Sequence, residues 1–284
     1  MTISASQVME LRSATGAGLM DCKKALSESG GDMDTAKDYL RKKGISIAAK
    51  KSDRETNEGA VGITMSEDGR VGAVVQLACE TDFVARNEEF TALMDKLGAQ
   101  VLAEGDTDVA AQKSRDGEGT VADVITNAIG KLGENMQLVS AARMELSGDG
   151  GMAGYLHSNK KIGALVMVQS DKAVAGEGVT SLARDIAMHV AASDVKAISE
   201  DEIDQAVLEK EREIFKAQAK ESGKPDEIVE KMVQGRISKY IKEITLLNQS
   251  FVKNPDQTIA QLLADTGKEL GATLSVARFI KQSF

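Results

Sequence analysis

Apolar positions in the first 55 residues recur at helical spacing, and short breaks divide them into three helices. Ser4 and Gln7 match the S-x-x-Q capping box ahead of a stripe through Val8 and Leu11. Gly16 and Gly18 break that helix. A second begins near Leu19, turns Cys22, Ala25 and Leu26 inward, and stops at Gly30–Gly31. Asp32 caps a third that carries Ala36, Tyr39 and Leu40, with Gly44 as its predicted C-terminal stop.

From Gly59 the period changes to two. Gly59–Ser66 and Val71–Thr81 flank Glu67-Asp68-Gly69-Arg70, whose Asp-Gly pair suits a tight reversal. Val71, Ala73, Val75, Leu77 and Cys79 share one face of the second strand, and Gln76, Glu80 and Asp82 the other. Amphipathic helices are predicted at about Glu88–Ala103 and Val121–Asn135. A second strand pair follows around Gln137–Leu146 and Met152–Gln169, then a helix at about Val179–Ala192. This second unit echoes the first. Val71–Leu77 aligns with Ile162–Val168 at an offset of 91, and Leu93, Leu97, Val101 and Ala103 align with Leu182, Ile186, Val190 and Ala192 at an offset of 89. A near-constant offset across strand and helix predicts a duplicated α+β subdomain.

Glu200–Leu247 reads as helical throughout, with Gly223 as a stop and Pro225 opening the next helix. A loose stripe runs through Ile228, Met232, Tyr240, Ile241 and Ile244, which predicts two antiparallel helices forming a projecting hairpin. A helix at about Thr258–Thr266 and a strand at Thr273–Ile280 close the chain. The expected fold class is α+β. Its expected units are residues 1–55, 56–146, 147–199 (continuing after the hairpin), 200–247 and 248–284.

Composition narrows the function. The 284 residues carry a formal net charge of −9, yet the first 55 hold ten Lys/Arg against eight Asp/Glu, so the acidic excess lies in the body. A net negative chain without Trp argues against broad nucleic-acid binding, which needs a basic footprint and stacking platforms. The longest apolar stretches, Val71–Ala78 and Ile162–Val168, fall far short of the ~20 residues that span a bilayer. The opening MTISASQVMELRS lacks a basic n-region followed by an apolar h-region, so no secretory signal is expected. Two cysteines, Cys22 and Cys79, make no disulfide framework, which points to a reducing cytosol. Two cysteines and two histidines, His157 and His189, show no metal-ligand spacing, and neither metal nor cofactor is expected.

Enzymatic patterns fail on spacing. Gly16-Ala17-Gly18 lacks the third glycine of a phosphate loop, and the Gly-Lys pairs at Gly130, Gly223 and Gly267 are not followed by Ser or Thr. Cys79 and Cys22 lie on apolar faces. No catalytic residue is assigned. His189, alone on a helix, reads as structural, whereas His157 stands in a polar basic turn suited to contact. The most informative segment is Glu80-Thr81-Asp82-Phe83-Val84-Ala85-Arg86-Asn87, between strand and helix. Phe83 either continues the buried face of Val75, Leu77 and Cys79, or stands beside Asp82 at a loop tip as a probe for a partner. The pattern alone leaves both open.

Six separated segments resemble the bacterial translation elongation factor Ts family. They are LRSATGAGLMDCKKAL (11–26), CETDFVARNEEF (79–90), GYLHSNKKIGALV (154–166), IAMHVAAS (186–193), SGKPDEIVEKMVQGR (222–236) and NQSFVKNP (248–255). The resemblance implies guanine-nucleotide exchange on elongation factor Tu, in its GDP-bound and nucleotide-free forms, in the cytoplasm. It implies no chemistry by the chain itself and no direct nucleic-acid or membrane partner. It implies a ubiquitin-associated-like three-helix module at 1–55, with Arg12, Leu19, Met20 and Lys23 at partner-contact positions, and a coiled-coil motif at 200–247. Thr81, Asp82, Phe83 and Val84 match the segment that dislodges Mg²⁺ from the GTPase, with Phe83 as a wedge between two partner helices. Leu132, Gly133 and His157 match further contact positions. Two other classes compete: a small-molecule enzyme using Asp82 and His157 as an acid/base pair, and a peptide-binding adaptor built on the three-helix head.

Overall fold

The computed structural model describes residues 3–117, 119–220 and 225–284. Helices α1 (Ala5–Thr15), α2 (Leu19–Glu28) and α3 (Met33–Ala49) pack around Val8, Leu11, Cys22, Ala25, Leu26 and Ala36. The Ser4–Gln7 capping box forms, and Gly16 ends α1 in the left-handed conformation, where a side chain would be strained. Gly44 is not a stop. It is buried inside α3, which runs five residues further, and it faces Gly130 on a later helix. Its missing side chain serves helix–helix approach rather than termination.

The body contains two three-stranded antiparallel sheets. Strands β1 (Glu58–Met65) and β2 (Val71–Cys79) form the expected hairpin. The chain then makes a one-turn helix α4 (Asp82–Ala85), α5 (Glu88–Glu104) and α6 (Val121–Leu132), and returns as β3 (Met136–Glu145) beside β2. The second sheet starts with β4 (Gly150–Leu156) and β5 (Ile162–Ser170), followed by α7 (Gly178–Ala192). The expected pairing of Gln137–Leu146 with Met152–Gln169 is therefore wrong. The first of these completes the first sheet, and the second is itself two strands reversing at His157–Lys161. Ser147-Gly148-Asp149-Gly150 has hairpin-turn composition, but it carries the chain from one sheet to the other.

Beyond α7, α8 (Gln205–Lys220) and α9 (Asp226–Ile244) pack around their own core of Ile203, Ala219, Val229, Val233, Ile237, Ile241 and Ile244. Short 3₁₀ turns at Glu200–Glu202 and Leu246–Asn248 flank them, so the stretch is not one uninterrupted helical run. The buried stripe of α9 begins at Val229; Ile228, expected on it, is 45% exposed. Pro225 sits at the α9 N-terminus, while the stop expected at Gly223 lies outside the described residues. A small hairpin, β6 (Ser250–Phe251) and β7 (Asn254–Thr258), leads to α10 (Ile259–Leu270) and β8 (Leu274–Ser283), which pairs with β5. The two sheet orders are β1-β2-β3 and β4-β5-β8.

Strand alternation builds the layers. Ala73, Val75, Leu77 and Cys79 face α5 and α6, while Ala164, Val166 and Val168 join Ala183, Ile186 and Val190 of α7 in a second core. Between the sheets, Val61, Val74 and Met144 meet Met152, Leu165 and Ile280. The molecule is thus helices, sheet, sheet, helices. The three-helix head docks on α6, where a Cβ at Gly130 would lie 2.8 Å from Gly44 Cα. Beside this narrow crossing is a cavity of about 560 Å³ lined by Gly18, Asp21, Arg41, Lys43 and Lys131.

His189 is buried in α7 and structural, as expected. Its Nδ1 accepts Val252 N–H at 3.2 Å, which leaves Nε2–H to donate to Gln249 Oε1 at 2.8 Å. Burial lowers its pKa below the ordinary 6.5, with the Gln249 bond opposing more weakly. The unfolded chain therefore takes up the proton more readily. No penalty exists above pH ~6.5, and one grows as pH falls from there toward the depressed folded value. Thermal melts should lose stability as pH falls from 7 to 5, and His189→Gln should flatten that part of the profile. An unchanged profile in the variant would show that other groups set it.

Candidate partner-docking site

The segment around Phe83 folds into a single helical turn that could not persist alone, since isolated short helices are unstable in water. Local and distant bonds hold it. Thr81 caps α4, its Oγ1 accepting Val84 N–H at 3.4 Å, and its carbonyl accepts Ala85 N–H at 3.2 Å. Thr81 N–H donates to Glu134 Oε2 at 2.9 Å, and its hydroxyl donates to Glu134 Oε1 at 2.6 Å. In return, Glu80 Oε1 accepts Asn135 N–H at 2.6 Å. That bond above all, with Arg54 assisting, holds the Glu80 carboxyl below the usual carboxylate range.

This arrangement decides which way Phe83 faces. Val84 and Ala85 pack against the core beneath β2, while Phe83 points away and is 83% exposed. The buried-face reading of Phe83 is thereby overturned: the helical turn breaks the strand alternation after Cys79, so the side-chain period no longer carries residue 83 inward. Asp82 pairs with Arg86 at 3.1 Å on the surface, a contact of small energetic worth.

The other expected contact residues fall into three groups. Leu132 is the half-buried last residue of α6, and Gly133 caps it at φ +76°. Both adjoin Glu134, so the 132–135 loop and the Thr81 turn form one unit. The head reaches the same unit: Lys51 Nζ donates to Gly133 O, and Asn135 Nδ2 donates to Arg54 O at 2.9 Å and Ser52 O at 3.3 Å. On the head, Arg12, Leu19, Met20 and Lys23 are all exposed, Met20 by 72%. Leu19 and Met20 thus stand side by side, unburied, on the first turn of α2.

His157 is separate. It tops the β4–β5 turn, exposed, with Nδ1 3.0 Å from Asn159 Oδ1. The neighbouring Lys160, itself at φ +56°, accepts Val61 N–H at 2.8 Å through its carbonyl and so ties the turn to the first sheet. Among the described residues no hydrogen bond joins His157 to Asp82, which bonds with Arg86 instead; the acid/base pairing finds no geometric support. The sequence pattern gives no sign of Glu134 or Asn135. Thr81 and Glu134 lie 53 positions apart, and no local pattern could link them.

Cys79 is fully buried, with Sγ–H donating to Thr81 O at 3.1 Å, and burial, aided by Glu134, pushes its pKa up to about 11. Cys22 is equally buried. Native protein at pH 8 should react with a thiol reagent at least about 100-fold more slowly than unfolded chain, because the thiolate is the reactive form. Fast labelling of either thiol would contradict this packing. Among the described residues no cluster of His, Cys, Asp and Glu could hold a metal ion, and no helix is long and apolar enough to cross a membrane.

The sequence model of the family "Elongation factor TS" matches residues 80–282, from Glu80 through β8 short of its final residue. A protein named Elongation factor Ts from Nitratidesulfovibrio vulgaris (strain DP4) is 46% identical over 283 residues, covering 99% of this chain and 95% of its own length. Those of Caulobacter sp. (strain K31) and Clostridium acetobutylicum are 46% and 45% identical, each covering 98% of this chain and 91% of its own length. With the match running through sheets, hairpin helices and the Phe83 turn alike, the chain belongs to the elongation factor Ts family.

Proposed function

We propose that this protein is the guanine-nucleotide exchange factor of elongation factor Tu, acting in the cytoplasm during translation elongation. It engages the GTPase in its GDP-bound and nucleotide-free forms, and it makes and breaks no covalent bond itself. The observation that carries this reading is Phe83: a large aromatic side chain, 83% exposed, on a helical turn anchored through Thr81 to Glu134. Exposed aromatics on rigid supports are what interfaces use as anchors.

The mechanism follows from the partner's ion. Mg²⁺ requires near-ideal octahedral geometry and tolerates little displacement of its ligands. An uncharged ring inserted between two partner helices shifts those ligands without competing for the ion. Asp82 hydrogen-bonds beside it, and Thr81 and Val84 hold the turn. Arg12, Leu19, Met20 and Lys23 grip the GTPase domain from the head, with Leu132, Gly133 and His157 as further contacts. Because coupling is reciprocal, a factor that weakens nucleotide binding is itself weakened by nucleotide, so incoming GTP expels it. Exchange is accelerated in both directions.

In this reading residues 1–55 are a ubiquitin-associated-like module, and 56–146 and 147–199 are duplicated core subdomains, the second continuing after the hairpin, where β8 completes its sheet. Residues 200–247 form a projecting antiparallel coiled-coil motif, and 248–284 a C-terminal module reaching another partner domain. The aligned stretches Val71–Leu77 and Ile162–Val168 lie in the central strands of their respective sheets, which favours duplication. Stopped-flow release of fluorescent GDP from elongation factor Tu tests the function. Release should accelerate and saturate with added protein; release at the spontaneous pace would end the proposal.

A further inference from the structure

We propose that Glu134 is a positioning residue for exchange: it does not touch the partner, but holds Thr81 so that α4 presents Phe83 at a fixed angle. This rests on the exchange-factor reading above. The geometry runs in series. Both Glu134 carboxylate oxygens are used on one residue, Oε2 by Thr81 N–H at 2.9 Å and Oε1 by Thr81 Oγ1–H at 2.6 Å. With its proton committed to Glu134, the Thr81 hydroxyl has only lone pairs left for α4, and it accepts Val84 N–H at 3.4 Å. Cys79 Sγ–H holds the Thr81 carbonyl from the strand side at 3.1 Å. Every polar atom of Thr81 is thus engaged, and the one bond that orients its hydroxyl comes from Glu134. Phe83, between the capping residue and Val84, is aimed by this chain of bonds.

The lock also joins three parts of the molecule. Asn135, next to Glu134, donates its backbone N–H to Glu80 and its side chain to the Ser52 and Arg54 carbonyls, where the head enters the body. The head's grip and the aromatic probe therefore share one rigid reference. Holding an interacting group within a fraction of an ångström of its productive place is what separates an exposed side chain from an effective one. The head contacts are untouched by the lock itself, so its loss should lower the saturating rate more than the affinity.

The test uses the full chain and elongation factor Tu loaded with fluorescent GDP, with release followed over a range of factor concentrations. Glu134→Ala should slow the saturating rate about tenfold, as expected for losing charge-assisted bonds, and leave the half-saturating concentration within about twofold. Thr81→Val should act in the same direction, and Thr81→Ser, which keeps the hydroxyl, should stay near the parent rate. Glu134→Ala combined with Phe83→Ala should be no slower than Phe83→Ala alone, because the two act in series. Amide hydrogen exchange at residues 82–85 of the free protein should quicken in Glu134→Ala while β2 stays protected. If Glu134→Ala does not fold, the isosteric Glu134→Gln turns an NH₂ toward one Thr81 donor and should slow release about threefold.

A parent-like rate in Glu134→Ala beside a slow Phe83→Ala would overturn the positioning role alone. So would additive slowing in the double variant, which would place Glu134 in a separate contact. A parent-like Phe83→Ala would instead remove the wedge itself and, with it, anything for Glu134 to position.

Discussion

Phe83→Ala should slow GDP release from elongation factor Tu by about 30-fold or more at saturating factor, the ~2 kcal/mol typical of a central aromatic anchor. The same variant should melt within a degree or two of the parent. Phe83 is 83% exposed and its neighbours Val84 and Ala85 supply the packing of the turn, so truncation leaves no cavity and exposes no core. The two readouts separate the alternatives cleanly. A core residue would show the reverse, a large drop in stability with activity falling alongside it. Phe83→Leu should recover only part of the rate, because a wedge depends on rigid breadth as well as apolar surface.

The second large effect is at the docking of the head. Gly130→Val should weaken that docking by about 2–3 kcal/mol, as overpacking does where the neighbour cannot yield. The obstacle is backbone: a Cβ at Gly130 would come within 2.8 Å of Gly44 Cα. The crossing is asymmetric. A Cβ at Gly44 would meet Gly130 Cα at 4.0 Å, an ordinary contact, so Gly44→Ala should be near neutral. Separation of α3 from α6 also pulls on the Lys51–Gly133 and Asn135–Ser52 bonds beside the Thr81 turn. Gly130→Val should therefore hasten protease cleavage near residues 50–57 and raise the half-saturating concentration for exchange about tenfold. A variant with parent-like cleavage and affinity would show that the head is not held by this crossing.

Much of the fold is legible because its causes are local. The Ser4–Gln7 box, the left-handed Gly16, the Asp68-Gly69 reversal and the alternation along Val71–Cys79 are each decided within a few residues. What local pattern misses is set at a distance. The partner of β3 depends on where a Gly-rich connection leads, and Ser147–Gly150 has the composition of a hairpin turn whether or not it closes one. Gly44 looks like a helix stop unless Gly130, 86 positions on, is known to lie against it. Ile228 and Val229 are equally apolar, and only the packing of α8 on α9 selects the second.

The site divides the same way. Residue type and family resemblance single out Phe83, Leu19, Met20 and His157, and all four are accessible in the fold. The residues that hold Phe83 out are invisible to the same reading, because Glu134 and Asn135 meet Glu80 and Thr81 only once β3 has returned beside β2. An exposed aromatic is also contrary to ordinary burial preference, so hydrophobic patterning draws it inward. The helical turn capped by Thr81 is what turns the ring outward.

Whether Phe83 works by disturbing Mg²⁺ in the partner's nucleotide site is decided by comparing the parent chain and Phe83→Ala with Mg²⁺ present and with Mg²⁺ chelated. The measured quantity is the rate of fluorescent GDP release from elongation factor Tu at saturating factor. If the ring works through the ion, the gap of about 30-fold seen with Mg²⁺ should shrink to within a few-fold when the ion is already gone. A gap of the same size in chelator would contradict the account, since the ring would then be acting on the nucleotide or the protein by a route that never involved the metal.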